Sequence, residues 1–561
     1  MTTSPDATIA DLSERLLRHM LSAEPLEGTL IGFREYDRGL ADLTVEREEE
    51  LARERSAIRK AALAVDPTSL SEQDSLTRAV IVAQIEYTDD AAAAKGIEYT
   101  SSAFPVAPAS VVLTYVHMVV ATNETQANDY LARLREIPRF LEQAAERLRI
   151  GREKGLTPVA HLVSTAIDQI DRFLAVDPSP LAIEPPADWD VADAWRIEQA
   201  TVIDEVVKPA FVIHRDLLTA DVLPSGRSTD AVGLVHLPDG LARYNGLVRQ
   251  HTTTDRTPED LHNTGLEMVA RIHAEFRELG GRLFDTTDVR EIFDRLQNDP
   301  ALRWTSSQEI LDAAEATVRR AEAASVDWFG RLPVAICALE PIPELEAADA
   351  APAYYMQPAL DGSRPGTYYT NVNRPEERTS FDLESVAYHE AVPGHHFQIS
   401  IALETPDLPM IRRLSLFTAY VEGWGLYSER LADEMGLYSS DLQRLGMLSA
   451  DVWRASRLVV DTGMHAFGWP RQQAVDFLLD NTPVAPIDVE SEIDRYIAMP
   501  GQALSYMTGR MEIQALRARA EAALGDSFSI KVFHDLVLAS GALPLAVLGQ
   551  VVDAWIAEQS S

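Results

Sequence analysis

The sequence predicts a mainly α-helical fold with a small β-sheet element, and three observations carry that expectation. Apolar residues recur at i, i+3, i+4 spacing through most of the 561-residue chain. Runs of β-prone residues are confined to two stretches, 231–245 and 334–373. Helix-start signals are clear, as in Thr257-Pro258-Glu259-Asp260, where a capping threonine precedes proline and acidic residues. A hydrophobic content of 46% is ample for a large core.

Taken in order, residues 8–64 read as helices, with 46–59 so rich in charge that it forms a solvated face. Residues 74–86 continue in that manner. Residues 99–108, rich in Ser, Pro and Ala, read as a loop bordering a cleft. Long amphipathic helices follow at 128–150, 157–174 and 190–218, and no fixed-period repeat suggests a solenoid. At 233–240 the chain reads as a short strand and turn. Helices return from Pro258 through Ala324. The second β-prone stretch contains 335–339, 353–356 and 366–371, and everything after Asp382 reads as helix and loop. The expected organisation is a helical region, 1–230, forming one wall of a cleft. Residues 231–561 carry the chemistry, and the two form one continuous unit.

The net charge is −37, from 50 basic and 87 acidic residues. Such a surface repels nucleic acid and anionic membranes and keeps the chain in solution. Cys337 is the sole cysteine, so no intrachain disulfide forms and a reducing compartment suits the chain. Residues 1–11 lack the basic and apolar regions of a signal peptide. The most apolar run, 111–121, is about half a membrane span and contains His117. The expectation is a soluble cytoplasmic protein without nucleic-acid or membrane partners.

The chemistry centres on His389-Glu390-Ala391-Val392-Pro393-Gly394-His395-His396. Ser380 is a candidate N-cap for the helix leading into it. Zinc hydrolases place two histidines one helical turn apart in H-E-x-x-H, with the glutamate as general base. Here Pro393 occupies the second histidine's position, and the motif is stretched. On a straight helix i to i+6 turns through about 600°, and i+7 lies about 10 Å further along. Zinc needs Zn–N distances of about 2.0–2.1 Å, so neither later histidine serves without a distortion. Pro393 and Gly394 supply one, since proline breaks the hydrogen-bond ladder and glycine accepts unusual angles. A bulge absorbing two residues returns His395 to the second ligand position, with His396 as the alternative or a supporting group.

A third ligand is expected from Glu422, 33 residues beyond His389, on a helix after the loop at 405–409. Glu429 lies seven residues further on the same face and can orient a ligand from behind. The bland alternative for Glu422 is an ordinary exposed helix glutamate. In metallopeptidases the stretch preceding the metal helix often holds an edge strand against which a peptide pairs. Two polar clusters follow, Arg457, Asp461, Thr462, Gly463 and His465, then Arg495, Tyr496, Gln502, Tyr506 and Arg510. Hydrolysis needs a base for the water and donors for the oxyanion. Glu390 is the expected base, Tyr506 and His465 the oxyanion donors, and Tyr496 a reserve. Arg495 or Arg510 can capture a substrate carboxylate bidentately. Tyr369 and Asn371 join Arg495, Tyr496 and Arg510 as expected substrate-binding residues.

These residues resemble the bacterial "domain of unknown function 885" family, grouped with zincin-like metallopeptidases. The likeness runs through 389–398, 422–429, 461–465 and 495–509, and upstream through 237–254, 300–310 and 361–371. It implies a large helical zincin-like fold similar to neurolysin, thimet oligopeptidase and the thermostable carboxypeptidases, with a deep cleft and zinc at its floor. The Gly394-His395 pair resembles the motif ending in those oligopeptidases. Dipeptidyl peptidase III, with one extra residue in its motif, is a precedent for stretching. The expected function is a zinc metallopeptidase acting on short peptides. The alternatives are a zinc hydrolase of a non-peptide amide or ester, and a non-catalytic helical binding protein with a relic site. Imidazole and carboxylate donors favour zinc while admitting manganese or cobalt.

Overall fold

A computed structural model describes residues 5–560 except 188, 344–350, 361, 363 and 415–416. Parts of the expected signal-peptide-free terminus (1–4), of the second β-prone stretch (344–350) and of the segment 361–371 therefore lie outside the described residues. The chain is mainly α-helical, from Pro5–Ala23 to Leu545–Gln559, with one three-stranded sheet among the described residues. Helix starts follow local chemistry. The Ser71, Asn123, Ser306 and Ser440 side chains each accept a backbone N–H of the first turn. Thr257 does the same from Asp260, with Pro258 opening the helix Pro258–Phe284. Ser380 caps nothing: its helix begins at Leu383, and its hydroxyl donates to the Leu302 carbonyl.

The strands are β1 (Ala338–Pro341), β2 (Ala353–Met356) and β3 (Thr367–Thr370), in the order β1-β3-β2. β3 pairs parallel with β1 and antiparallel with β2, leaving β2 as an edge. Asn371 N–H donates to Pro352 O at 2.9 Å, so in the alternating antiparallel pattern Ala353 and Tyr355 turn their backbone groups outward.

The strand expected at 231–245 does not form. Leu234–His236 is one 3-10 turn, and Gly240–Thr252 is an α-helix. Val232, Leu234 and Leu237 are the buried apolar positions of 231–240, so the alternation begun by Val232 and Leu234 breaks at exposed His236. A Cβ on Gly233 would meet the Met464 carbonyl, so this segment packs against a helix where a strand would need a partner.

One core joins N-terminal helices (Ile9, Leu16, Ile81, Ile85) to C-terminal ones (Trp424, Leu548, Val552). A second lies wholly within residues 26–223, around Phe140, Ile170 and Phe211. The apolar run at 111–121 folds as parts of Pro108–Tyr115 and Val116–Met118. Among the described residues no helix is long and apolar enough to cross a membrane. Two long contacts frame the site: Asp441–His465 lies along Pro258–Phe284, and Thr418–Glu434 lies along Ser505–Leu524. Gly423 and Gly509 bring the second pair into backbone contact, since a Cβ on Gly423 would lie 2.5 Å from Gly509 Cα.

Candidate metal centre

The stretched motif is a break between two helices rather than a bulge within one. Leu383–Glu390 ends at the glutamate, and His395–Leu403 starts at the second histidine. Gly394 is required where the turn folds back, because a Cβ there would lie 1.8 Å from the His389 carbonyl oxygen. The helix Thr418–Glu434 fastens the turn: Trp424 Nε1–H donates to Pro393 O at 2.8 Å, and Ser428 Oγ–H at 3.3 Å.

That helix also carries Glu422. One of its carboxylate oxygens lies 3.4 Å from His389 Nε2 and 3.4 Å from His395 Nε2. The three ligand atoms all fall within 4.8 Å of one another. Donors about 2.0–2.1 Å from one tetrahedral ion sit about 3.4 Å apart, so the set fits a zinc-sized cation. The two imidazoles are nearly perpendicular, with centroids 4.6 Å apart. His389 Nδ1–H donates to Glu429 at 2.8 Å, which leaves Nε2 facing Glu422 as the atom that would give up its proton to bind a cation. Glu429 in turn accepts from Ser385 Oγ at 2.7 Å. Burial pushes the His389 imidazole down, but Glu422, Glu429 and Glu390 outweigh it and hold the group at about 9. Burial raises Glu422 likewise, and the two histidines overcome it, holding the carboxylate well below its usual range. Such a concentration of carboxylate against imidazole is what a bound cation would replace.

Glu390 accepts from the Tyr355 N–H of edge strand β2 at 3.0 Å. His396 lies apart from the three-residue cluster. Its Nε2–H donates to Ala335 O and its Nδ1 accepts from Tyr355 O–H, at 3.1 and 3.0 Å. It thereby ties β2 to the segment before β1. The Tyr506 ring stacks near His389, with centroids 6.3 Å apart. Burial pushes the Tyr506 phenol up, and the Glu422 charge adds to it, so the hydroxyl keeps its proton.

Several expected partners point elsewhere. His465 is fully buried with both ring nitrogens in use, accepting from Leu234 N–H and donating to Tyr496 O. It has no proton left for an oxyanion. Tyr496 is fully buried, and its hydroxyl meets Glu492, Arg457 and Trp453. Arg510 is buried on Asp451, which it shares with Arg430, so its guanidinium is already engaged within the protein. Asn371 is buried too, with its carboxamide bonded to Ala351 O and Asn373 N–H. Tyr369 is half-buried and stacks on Tyr354 at 5.0 Å. Arg495 does sit near Tyr506, bonded to Glu492 and Gln502. Asp461 accepts from Gly501 N–H and Tyr244 O–H, and so anchors the turn that precedes Tyr506.

Gly425 had no expected role. A Cβ there would lie 2.7 Å from His389 Nε2, and Glu429 pins that ring from behind. Its only sequence signal is a glycine inside a helical run. We expect Gly425→Ala to cost about 1–3 kcal/mol through overpacking and to weaken zinc binding. Thermal unfolding and zinc titration would check this, and an unchanged zinc affinity would refute it.

The model of the bacterial protein family of unknown function DUF885 matches residues 25–552. The chain belongs to that family. Among solved structures it is similar to a candidate lipoprotein of Colwellia psychrerythraea, with 27% identity over 99% of this chain and 100% of that one, and a TM-score of 0.91. It also shares its fold with a candidate lipoprotein of unknown function from Shewanella oneidensis, at 19% identity and a TM-score of 0.72, covering 97% and 99% of the two chains. No curated protein matches the chain.

Proposed function

We propose that this member of the DUF885 family is a zinc-dependent peptidase of the zincin type, cleaving short peptides in a cleft. The observation that carries the reading is the His389, His395 and Glu422 donor set at tetrahedral spacing, with Glu390 next in sequence. A zinc ion held there would act as a Lewis acid on the water and the scissile carbonyl. Glu390 takes the proton from the attacking water and delivers it to the leaving amine as the C–N bond breaks, while the water oxygen joins the acyl product. Tyr506, protonated and beside His389, donates to the oxygen that becomes negative. With Tyr355 N–H engaged by Glu390, the outward backbone groups of Ala353 on β2 can pair with an extended substrate backbone.

We place the chain in the cytoplasm on the strength of its single cysteine, Cys337. The lipoprotein descriptions of its structural relatives weigh the other way, and recovery in a membrane or periplasmic fraction would overturn that placement. The functional reading is tested by incubating zinc-loaded protein with a library of short peptides and reading the products by mass spectrometry. Zinc-dependent cleavage is expected. Absence of any cleavage would overturn the peptidase reading and leave non-peptide amides and esters as the next substrates.

A further inference from the structure

Beyond Tyr506 lies a buried cationic excess that the proposed hydrolysis does not use. Arg457, on the helix Asp441–His465, and Arg495, on Pro486–Ala498, share one carboxylate, Glu492. The distances from Glu492 Oε2 are 3.1 Å to Arg457 Nη2 and 2.9 Å to Arg495 Nη2. Arg457 Nε–H donates to Tyr496 at 2.7 Å. Its remaining terminal nitrogen, Nη1, is buried without a hydrogen-bond partner, and the side chain is only 5% exposed. The guanidinium packs at 4.6 Å over Tyr506 and 4.8 Å over Trp453. Two guanidinium groups bond to this one carboxylate; Asp461 also acts on Arg495, whereas Glu492 is the only carboxylate acting on Arg457, so the positive excess sits on the Arg457 side. In a chain of net charge −37 that excess is local and unexpected. A buried charge without its counter-ion is costly, so an anionic ligand is the natural complement.

Distance decides which anion. Arg457 lies 4.6 Å from the Tyr506 ring, and that ring lies 6.3 Å from the His389 ring. Placed end to end, these steps put the guanidinium at most about 11 Å from the His389 imidazole. An extended peptide advances about 3.3–3.6 Å per residue. The span therefore holds one or two residues between the scissile carbonyl and a group bonded to Arg457. A planar guanidinium with a free terminal N–H suits a carboxylate, which every unmodified peptide carries at its C-terminal end.

We propose that Arg457 and Arg495 receive the free C-terminal carboxylate of the substrate, making the protein an exopeptidase that cuts one or two residues from that end. This rests on the peptidase reading above; it keeps Arg495, joins Arg457 to it, and sets aside the alternative Arg510. Gln502, bonded to Arg495 Nη1 at 2.9 Å, holds the second guanidinium in place.

The test uses zinc-loaded Glu390→Ala protein, so that ligands are bound and not consumed. An N-acetylated tripeptide library is offered as free acids and as C-terminal amides, and retained peptides are identified by mass spectrometry. Free acids should be retained at least about tenfold better than amides, as expected for a lost charge-assisted hydrogen bond. Adding Arg457→Met should erase the preference without changing zinc content, and Arg457→Lys should restore part of it. The acid-against-amide comparison needs no arginine variant, so a misfolded Arg457→Met does not rescue the idea. Equal retention of both forms, or retention of neither, overturns the proposal. With active protein, cleavage of internal bonds in amidated peptides would overturn it while leaving the peptidase reading intact.

Discussion

Purified with zinc supplied, the wild-type chain should carry about one ion per molecule, and His389→Ala or Glu422→Ala should carry none. The expectation follows from geometry, because removing either donor leaves two of three ligand atoms and opens the 3.4 Å spacing that one ion needs. Glu429→Ala should have a graded effect. Its carboxylate orients His389 without entering the cluster, and removing such a partner weakens a site by about 10–100-fold. His396→Ala should keep its zinc, since both its ring nitrogens are committed to Ala335 and Tyr355. Metal analysis and a second reading, the rise of Tm with zinc, check these outcomes together. A wild-type chain that takes up no metal even with zinc in excess would refute the site. Full occupancy in Glu422→Ala would refute the ligand assignment.

Glu390→Ala should lose turnover by about 10²–10⁴-fold while its zinc content stays that of the wild type. The two readouts separate the roles of adjacent residues. His389 directs its ring at Glu422, whereas Glu390 directs its carboxylate toward β2, where Tyr355 N–H holds one oxygen. Glu390 is absent from the three-residue cluster, so its loss removes a base and no ligand. Retained activity in Glu390→Ala would overturn the mechanism. Parallel loss of zinc would instead show that Glu390 belongs to the metal's own shell.

Much of this arrangement is written in local sequence. The mainly helical fold follows from apolar spacing over many turns, and caps such as Thr257 act within three residues. The donors at the centre were legible because Pro393 and Gly394 interrupt a regular helix. In place of the expected two-residue bulge, the structure uses a break that turns His389 and His395 toward one point. Glu429 behind His389 was legible too, being two helical turns from Glu422.

The long-range partners were not legible. His465 and Arg510 look like free polar groups in a helical background, yet Leu234, 231 residues distant, consumes one nitrogen of His465, and Asp451, 59 residues distant, holds Arg510. The expected strand at 231–245 failed for the same reason: a few apolar residues suit a strand or a turn, and the surface of Met464 and His465 selects the turn. Helical periodicity and glycine breaks are short-range properties of the backbone, so the sequence by itself determined the fold class and the place of the candidate metal centre. Which buried polar group keeps a free proton or an unpaired N–H depends on what the rest of the chain brings against it. Only the tertiary structure decided that His465 is spent and that Arg457 is not.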